Sequence, residues 1–354
     1  MENLLGKTLD ELTAIALKVG LPRFAGKQLS DWLYHKRVRS IDEMTNISVR
    51  GREELKRAYS IARHAPISHI QSQDGTQKFL FRVENAENSM GHDEYIETVY
   101  IPDEDRATLC VSTQAGCKMG CRFCMTGTLG FHGHLDAGEI LNQIFEIDRA
   151  TATQATEDLH LTNIVYMGEG EPMDNIDHVM RSLEIMTAPY GCAWSPHRIT
   201  VSSVGFLPGL QRYLDQSECH LAISLHNPFA KERKQVMPIE KAYSLNDVLT
   251  LIKQYDWQHQ RRVSFEYICW AGVNDTPKHA KELARILRGL NCRVNLIRFH
   301  AGVEQDFPAS NEKSMLWLQQ YLNDNGITTT IRRSRGEDIL AACGMLRNTL
   351  TTDN

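Results

Sequence analysis

Cys117-Lys118-Met119-Gly120-Cys121-Arg122-Phe123-Cys124 follows a strand-like, β-branched run at residues 108–112. Three thiols spaced Cys-x3-Cys-x2-Cys in a glycine-containing loop can converge on one metal centre. Structural zinc normally takes four ligands, usually as two Cys-x2-Cys halves, and no second half stands nearby. His132 and His134 are candidates for a fourth ligand, although loop histidines are ordinarily solvated. A four-iron cluster held by three thiolates would instead leave one iron open to a small molecule.

Outward from this loop the chain has a regular rhythm. Strand-like runs at 108–112, 161–167, 198–204, 220–225, 263–269 and 293–299 alternate with amphipathic helical runs at 139–149, 179–186, 245–255 and 280–287. Such alternation predicts an α/β fold of right-handed parallel βαβ units. Six repeats are fewer than the eight of a closed barrel. The count suits an open partial barrel or a doubly wound sheet, and both gather function at the carboxyl ends of the strands. Upstream, the runs at 67–70, 78–83 and 95–101, with Gly75 and a polar loop from Asn85 to His92 between them, predict a small antiparallel β extension. The first 62 residues read as helical: Thr8 and Glu11 form a capping-box pattern, and Gly20 suits a helix end. The expected organisation is a helical accessory domain over 1–62, the β extension over 63–105, the α/β core over 106–345 and a tail over 346–354.

Composition bounds the function classes. The chain has 354 residues, 42% hydrophobic and 23% charged, an ordinary globular balance with no apolar stretch long enough for a membrane helix. The start lacks the plan of a signal peptide, which predicts a cytoplasmic protein. Nine cysteines is an odd count in a chain too long to need disulfide stapling. The net charge of -5 argues against a generic nucleic-acid binder, yet residues 1–62 carry 11 Lys+Arg against 8 Asp+Glu, with Lys36, Arg37 and Arg39 clustered. That cluster reads as a solvated helical face or as an RNA-docking patch.

Other strand ends offer what a bound cofactor needs. Gly168-Glu169-Gly170-Glu171-Pro172 follows the second core strand; glycine admits a close ligand and a carboxylate accepts hydrogen bonds from an amino group. Ser202, Ser224, Leu225 and His226 lie at later strand ends. Near the C-terminus, Arg332, Arg333 and Arg335 precede Cys343 within a dozen residues. A free cysteine among small residues is usually buried packing, but arginines so close can stabilise a thiolate or hold a phosphate backbone.

The cysteine motif resembles that of the radical S-adenosylmethionine (SAM) superfamily. With residues 97–102, 108–112, 170–172, 224–226, 272–275, 295–297 and 338–344, the chain resembles the radical-SAM rRNA adenine methyltransferases, the RlmN/Cfr family, which methylate carbon 2 or carbon 8 of an adenine in 23S rRNA. The resemblance covers the chain from about residue 94 onward. It implies a partial (β/α)6 radical-SAM barrel. It also implies a [4Fe-4S] cluster on Cys117, Cys121 and Cys124, and two SAM molecules per turnover. Gly170, Glu171, Ser202, Ser224, Leu225, His226 and His300 would contact SAM. One SAM would methylate Cys343, and a 5′-deoxyadenosyl radical from the second would activate that methyl group for addition to the base. Glu97 would remove the ring proton, and Cys110 would release Cys343 through a transient disulfide. On the residues alone, Glu97 would be read as a surface strand residue.

The implied partners are 23S rRNA, tRNA at the adenine 3′ of the anticodon, and a flavodoxin- or ferredoxin-like electron donor, with the protein a monomer off the membrane. The residues 97–110 favour the carbon-2 branch. The chain departs from the family at His300, where asparagine is usual, at Glu169 for methionine and at Met345 for glutamine. The rivals are the carbon-8 enzyme, a glycyl-radical activase, which gives Cys110 and Cys343 no role, and a metal-stapled RNA-binding protein. Cys192, Cys219, Cys269 and Cys292 show no partner pattern, and the last three are expected in the core. Arg261-Arg262 and Lys231-Glu232-Arg233-Lys234 are candidate RNA-facing patches.

Overall fold

A computed structural model describes residues 1–83, 94–152, 160–257, 261–300 and 307–346; the expected 85–92 loop and most of the tail lie outside them. The strands are β1 (Glu2–Asn3), β2 (Tyr59–Ser60), β3 (Ser68–Gln71), β4 (Gln77–Val83), β5 (Glu94–Asp103), β6 (Arg106–Cys110), β7 (Gln114–Gly116), β8 (Phe131–His134), β9 (Asn163–Tyr166), β10 (Ile199–Ser203), β11 (His220–Ser224), β12 (Val263–Cys269), β13 (Cys292–Arg298) and β14 (Thr328–Ile331). Among the described residues, ten form one sheet in the order β14-β13-β12-β11-β10-β9-β6-β5-β4-β3. From β6 to β14 every pairing is parallel, and from β6 back to β3 every pairing is antiparallel. The β extension is therefore continuous with the core sheet. A seventh parallel strand, β14, adds to the six read from sequence; at four residues, two of them exposed, it gives almost no hydrophobic period.

The helices are α1 (Leu9–Lys18), α2 (Ala25–Ser30), α3 (Val49–Ala58), α4 (Met125–Leu129), α5 (Ala137–Thr151), α6 (Ile176–Thr187), α7 (Leu207–Gln216), α8 (Ala230–Val236), α9 (Leu245–Ile252), α10 (Pro277–Ile286) and α11 (Glu312–Asp324). Strand alternation divides the sheet into two chemically distinct faces. Leu109, Ile164, Val201, Ile223, Phe265 and Val294 join the main apolar core with helix residues such as Ile140, Leu183, Leu210 and Leu283. The opposite face carries Cys110, Ser202, Ser224, Glu266 and Asn295, kept in line by the registers Ser202↔Ala222, Ser224↔Glu266 and Glu266↔Asn295. Helices cover one face; the other is free to build a site. Cys219, Cys269 and Cys292 are buried in the helix-side core, as expected.

The accessory helices start as the sequence indicates, with Thr8 and Glu11 forming a reciprocal cap and Gly20 at φ 76°. They dock on α5 through ion pairs: Arg37 to Asp148 at 3.0 Å and Arg63 to Glu146 at 2.8 Å. Arg39 lies 3.7 Å from Glu146. Two members of the 36–39 basic cluster thus contact the core, while Lys36 stacks over Trp32 with its Nζ 3.9 Å from the ring centre.

Candidate functional site

The cysteine loop is the connection of a small hairpin. β7 pairs antiparallel with β8, and the Cys117 N–H donates to Gly130 O at 2.8 Å, so residues 117–130 are pinched at their base. Gly116 sits at φ 69°, and a Cβ there would meet Gly130 O at 2.0 Å, so only glycine closes the pinch. Cys121, Met119, Val236, Met237, Ile268, Trp270 and Phe299 form an apolar cluster, with Cys117, Phe123 and Cys124 packed against it. Burial pushes all three thiols upward, Cys117 to about 12, and each of Cys117 and Cys121 also feels the charge of Cys124.

His132 places its ring nitrogens at Glu94 and Leu129 O, and His134 Nδ1 lies 3.1 Å from Gln114 Nε2. Three unbridged cysteines on one pinched loop suit a larger cluster with an open position. The buried indole N–H of Trp270, in the same apolar wall, has no hydrogen-bond partner among the described residues, an orphan donor that a bound anionic group would satisfy.

The adjoining strand ends are tightly organised. Glu171 is buried; its carboxylate accepts from Met173 N at 3.0 Å and Val204 N at 2.8 Å, tying the end of β9 to the end of β10. Burial raises its carboxyl to about 7, against the pull of these amides. Gly170, at φ 95°, turns its Cα toward Gln114, whose Cβ would lie 2.5 Å from an added Cβ; the glycine is required by packing as well as by conformation. Ser202 and Ser224 are half-buried on the open face. Leu225 is fully buried, with its N–H given to Glu266 O and its carbonyl to Arg233. His226 holds a left-handed backbone at φ 55°, a strained choice for a non-glycine residue at a strand end. Burial lowers its imidazole to about 3, so the ring is neutral; Nδ1 accepts from Ile268 N at 3.1 Å, which leaves the proton on Nε2.

Glu97 is not a surface strand residue. It is 2% exposed and its Oε1 lies 2.9 Å from Nζ of Lys78, itself 6% exposed. Glu97 N–H donates to Glu169 at 2.7 Å and its carbonyl accepts from Ser112 at 2.6 Å. Glu169 thus anchors the strand that carries Glu97. The register Val99↔Cys110 puts Glu97, Val99 and Cys110 on one face, where Val99, Cys110, Ala341 and Leu346 pack together.

That packing brings the C-terminal loop over the site. Met125 N–H, at the open start of α4, donates to Gly344 O at 2.7 Å, and Thr126 donates to Leu346 O at 2.9 Å. Cys343 is reached by solvent yet densely surrounded; burial and Glu266 push its thiol to about 11, while Arg332 pulls it down and Cys124 adds to the rise. Cys110, whose thiol burial raises further, also feels Cys343. The loop is latched by Asp338, which accepts from Ser72 Oγ at 2.5 Å and Gln73 N at 3.2 Å, by Asp74 accepting from Gly336 N at 3.0 Å, and by an Arg335–Asp103 pair. His300, just beyond the end of β13, contacts this loop through both ring nitrogens, at Ser334 (2.5 Å) and Glu337 (2.8 Å). Asp338→Ala should raise amide hydrogen exchange across residues 333–346 by about tenfold, the loss of charge-assisted bonds, while the core strands stay protected. Unchanged exchange there would remove the latch.

In each of the two candidate RNA patches one arginine turns inward, while Lys231, Lys234 and Arg262 stay exposed. Arg233 is fully buried, and Arg261 lies against Tyr213 and Trp257 and donates to the carbonyls of Cys219 and Leu214. Sequence reading also passed over Lys78 and Glu266. The period-2 pattern of Gln77-Lys78-Phe79-Leu80-Phe81 does put Lys78 on the face of Leu80, a signal that a buried cation was present.

Comparison with known proteins completes the description. Residues 2–61 match the ribosomal RNA large subunit methyltransferase N-terminal domain. The "Probable dual-specificity RNA methyltransferase RlmN" of Phocaeicola vulgatus is 53% identical over 343 residues, covering 97% of this chain and 94% of that protein. The dual-specificity RNA methyltransferase RlmN of Syntrophotalea carbinolica is 39% identical, covering 97% of this chain and 89% of its own. The crystal structure of a radical SAM methyltransferase from Sphaerobacter thermophilus matches with a TM-score of 0.88 at 36% identity, covering 98% of this chain and 99% of that one.

Proposed function

Because the chain belongs to the RlmN family of radical-SAM RNA methyltransferases, we propose that it methylates carbon 2 of an adenine in 23S rRNA, at the peptidyl-transferase centre, and of the adenine 3′ of the anticodon in tRNA. The observation that carries this reading is the position of the loop bearing Cys343: Gly344 O accepts from Met125 N–H, next to Cys124, and Ala341 packs with Cys110 on the sheet. One loop thus stands between a proposed resolving thiol and the proposed cluster ligands.

Cys117, Cys121 and Cys124 would hold a [4Fe-4S] cluster, and Gly170, Glu171, Ser202, Ser224, Leu225, His226 and His300 would bind SAM. When bound, cluster and SAM supply a methyl group and, on reduction, a carbon radical, using two SAM per turnover. Cys343 accepts the methyl group as its thiol proton leaves; once the 5′-deoxyadenosyl radical has taken one hydrogen atom from that methyl group, the methylene bridges sulfur and adenine, and the unpaired electron left on the adduct would return to the oxidised cluster. Glu97 accepts the proton from the ring carbon; its Oε1 lies 2.9 Å from Lys78 Nζ, a contact that fixes where the carboxylate stands. Cys110 then attacks the Cys343 sulfur. The S–S bond forms as the S–C bond breaks, the electron pair stays with the methylene carbon, and that carbon takes a proton to become the product methyl. Cellular thiols reduce the disulfide. The protein acts as a cytoplasmic monomer reduced by a flavodoxin- or ferredoxin-like donor; no helix among the described residues is long and apolar enough to cross a membrane.

The test is anaerobic reaction of the reconstituted protein with 23S rRNA and with tRNA, followed by nucleoside mass spectrometry against both methyladenosine standards. The expected product from both RNAs is 2-methyladenosine. 8-Methyladenosine would assign the chain to the carbon-8 reaction, and iron-free, zinc-loaded protein that leaves SAM intact would sink the enzymatic reading.

A further inference from the structure

Arg233 is a fully buried cation on α8, and its guanidinium is committed to the backbone around the site. Nε donates to Leu225 O at 3.1 Å, and one terminal nitrogen donates to Val204 O at 2.9 Å and to Ser224 O at 3.0 Å. The other terminal nitrogen pairs with Glu240, which also accepts from Leu245 N at 3.0 Å. Three carbonyls from the ends of β10 and β11 therefore meet on one planar fork, a geometry that arginine supplies and lysine does not. The same helix touches the cysteine loop. Arg122 N–H donates to Val236 O at 3.0 Å, and Cys121 packs with Val236 and Met237. Arg233 is among the charges acting on Cys121 and on His226.

We propose that Arg233 is a positioning residue with two effects: its fork fixes the β10 and β11 ends that face the methyl donor, and its buried charge eases reduction of the cluster at Cys121. The inference rests on the reading of Cys117, Cys121 and Cys124 as cluster ligands. An anionic, thiolate-bound cluster gains an electron more readily beside a desolvated cation, because Coulomb interactions are little screened there. Glu240 opposes that field while holding the guanidinium in place. The two partners of one ion pair should thus move the reduction potential in opposite directions, which loss of packing alone does not produce.

The experiment is a redox titration of the reconstituted protein followed by electron paramagnetic resonance, with equilibrium SAM binding measured in parallel. Arg233→Met should shift the midpoint to more negative potential and weaken SAM binding by about tenfold, the cost of a lost charged hydrogen bond. Glu240→Gln should shift the midpoint to more positive potential. Arg233→Lys, which keeps the charge and loses the fork, should leave the midpoint near wild type while still weakening SAM binding. Midpoints unchanged in both Arg233→Met and Glu240→Gln would overturn the inference. If Arg233→Met fails to fold, Glu240→Gln and Arg233→Lys decide: an unmoved Glu240→Gln midpoint, or Arg233→Lys binding SAM as wild type does, counts against it. A Cys121→Ala protein that retains the full cluster would sink the ligand reading instead, a result distinguishable by iron content before any potential is measured.

Discussion

Cys343→Ala is expected to abolish RNA methylation, with a loss of more than about a thousandfold, because the proposed reaction passes the methyl carbon through this one sulfur. Alanine has no nucleophile, and the nearest thiols do not substitute for it. Cys110 lies on the sheet, 9% exposed, paired in register with Val99, and Cys124 lies in the cysteine loop as a proposed ligand. Cys343 is the exposed one of the nine cysteines. Its thiol, raised to about 11, rests protonated, so its reactivity depends on what approaches it and not on a standing thiolate. The measurement is nucleoside mass spectrometry of RNA, paired with peptide mass spectrometry for S-methylcysteine at residue 343 in the wild-type protein. Iron content and SAM binding should survive the substitution, since the loop contacts α4 through the backbone of Gly344 and Leu346. RNA methylated at a normal rate by Cys343→Ala would refute the two-cysteine route.

The parallel half of the fold was legible because its signal is local and repeated. Alternating residues in Val263-Ser264-Phe265-Glu266-Tyr267 send apolar side chains to the helices and polar ones to the open face, and six such segments in order leave little topological choice. β14 escaped because two of its four residues are exposed at the sheet edge, where burial imposes no period. The cysteine loop was legible from spacing, but its closure as a hairpin was not, since β7 has only three residues.

Charge misled in an instructive way. Arg233 stands in Lys231-Glu232-Arg233-Lys234, and nothing in such a run tells which member turns inward; its burial depends on three carbonyls and Glu240, contacts fixed only by tertiary structure. Glu97 poses the same problem in reverse. Its burial is decided by Lys78 on the adjacent strand and by Glu169 from the end of β9, 72 residues away. The buried network of Glu266, with Ser264 at 2.9 Å and Asn295 at 2.7 Å, likewise joins residues from two strands. Sequence located the elements that carry the site. The pairings that tune its side chains are long-range and had to be seen.

Cys110→Ala should convert a catalyst into a trap. If Cys110 performs the attack that frees Cys343, its removal leaves every earlier step intact, and the chain accumulates as a covalent adduct with its RNA. The packing supports a specific effect of this kind: Cys110 and Ala341 belong to one small apolar cluster, so the Cys343 loop already lies against the strand carrying the attacking sulfur. Burial holds the Cys110 thiol far above its ordinary range, which keeps it from reacting with passing oxidants and reserves it for a sulfur delivered to it. On a denaturing gel the protein should run with the added mass of RNA, and nuclease digestion should leave a single nucleotide on the peptide containing residue 343. Multiple turnover should fall by about two orders of magnitude or more, because each molecule stops at its first adduct. Glu97→Gln should differ: with the ring proton still in place, the adduct cannot progress to the species that Cys110 resolves, so added thiol reductant will not restore turnover. Normal turnover by Cys110→Ala, with no cross-linked RNA, would remove Cys110 from the reaction and leave release of Cys343 to another group.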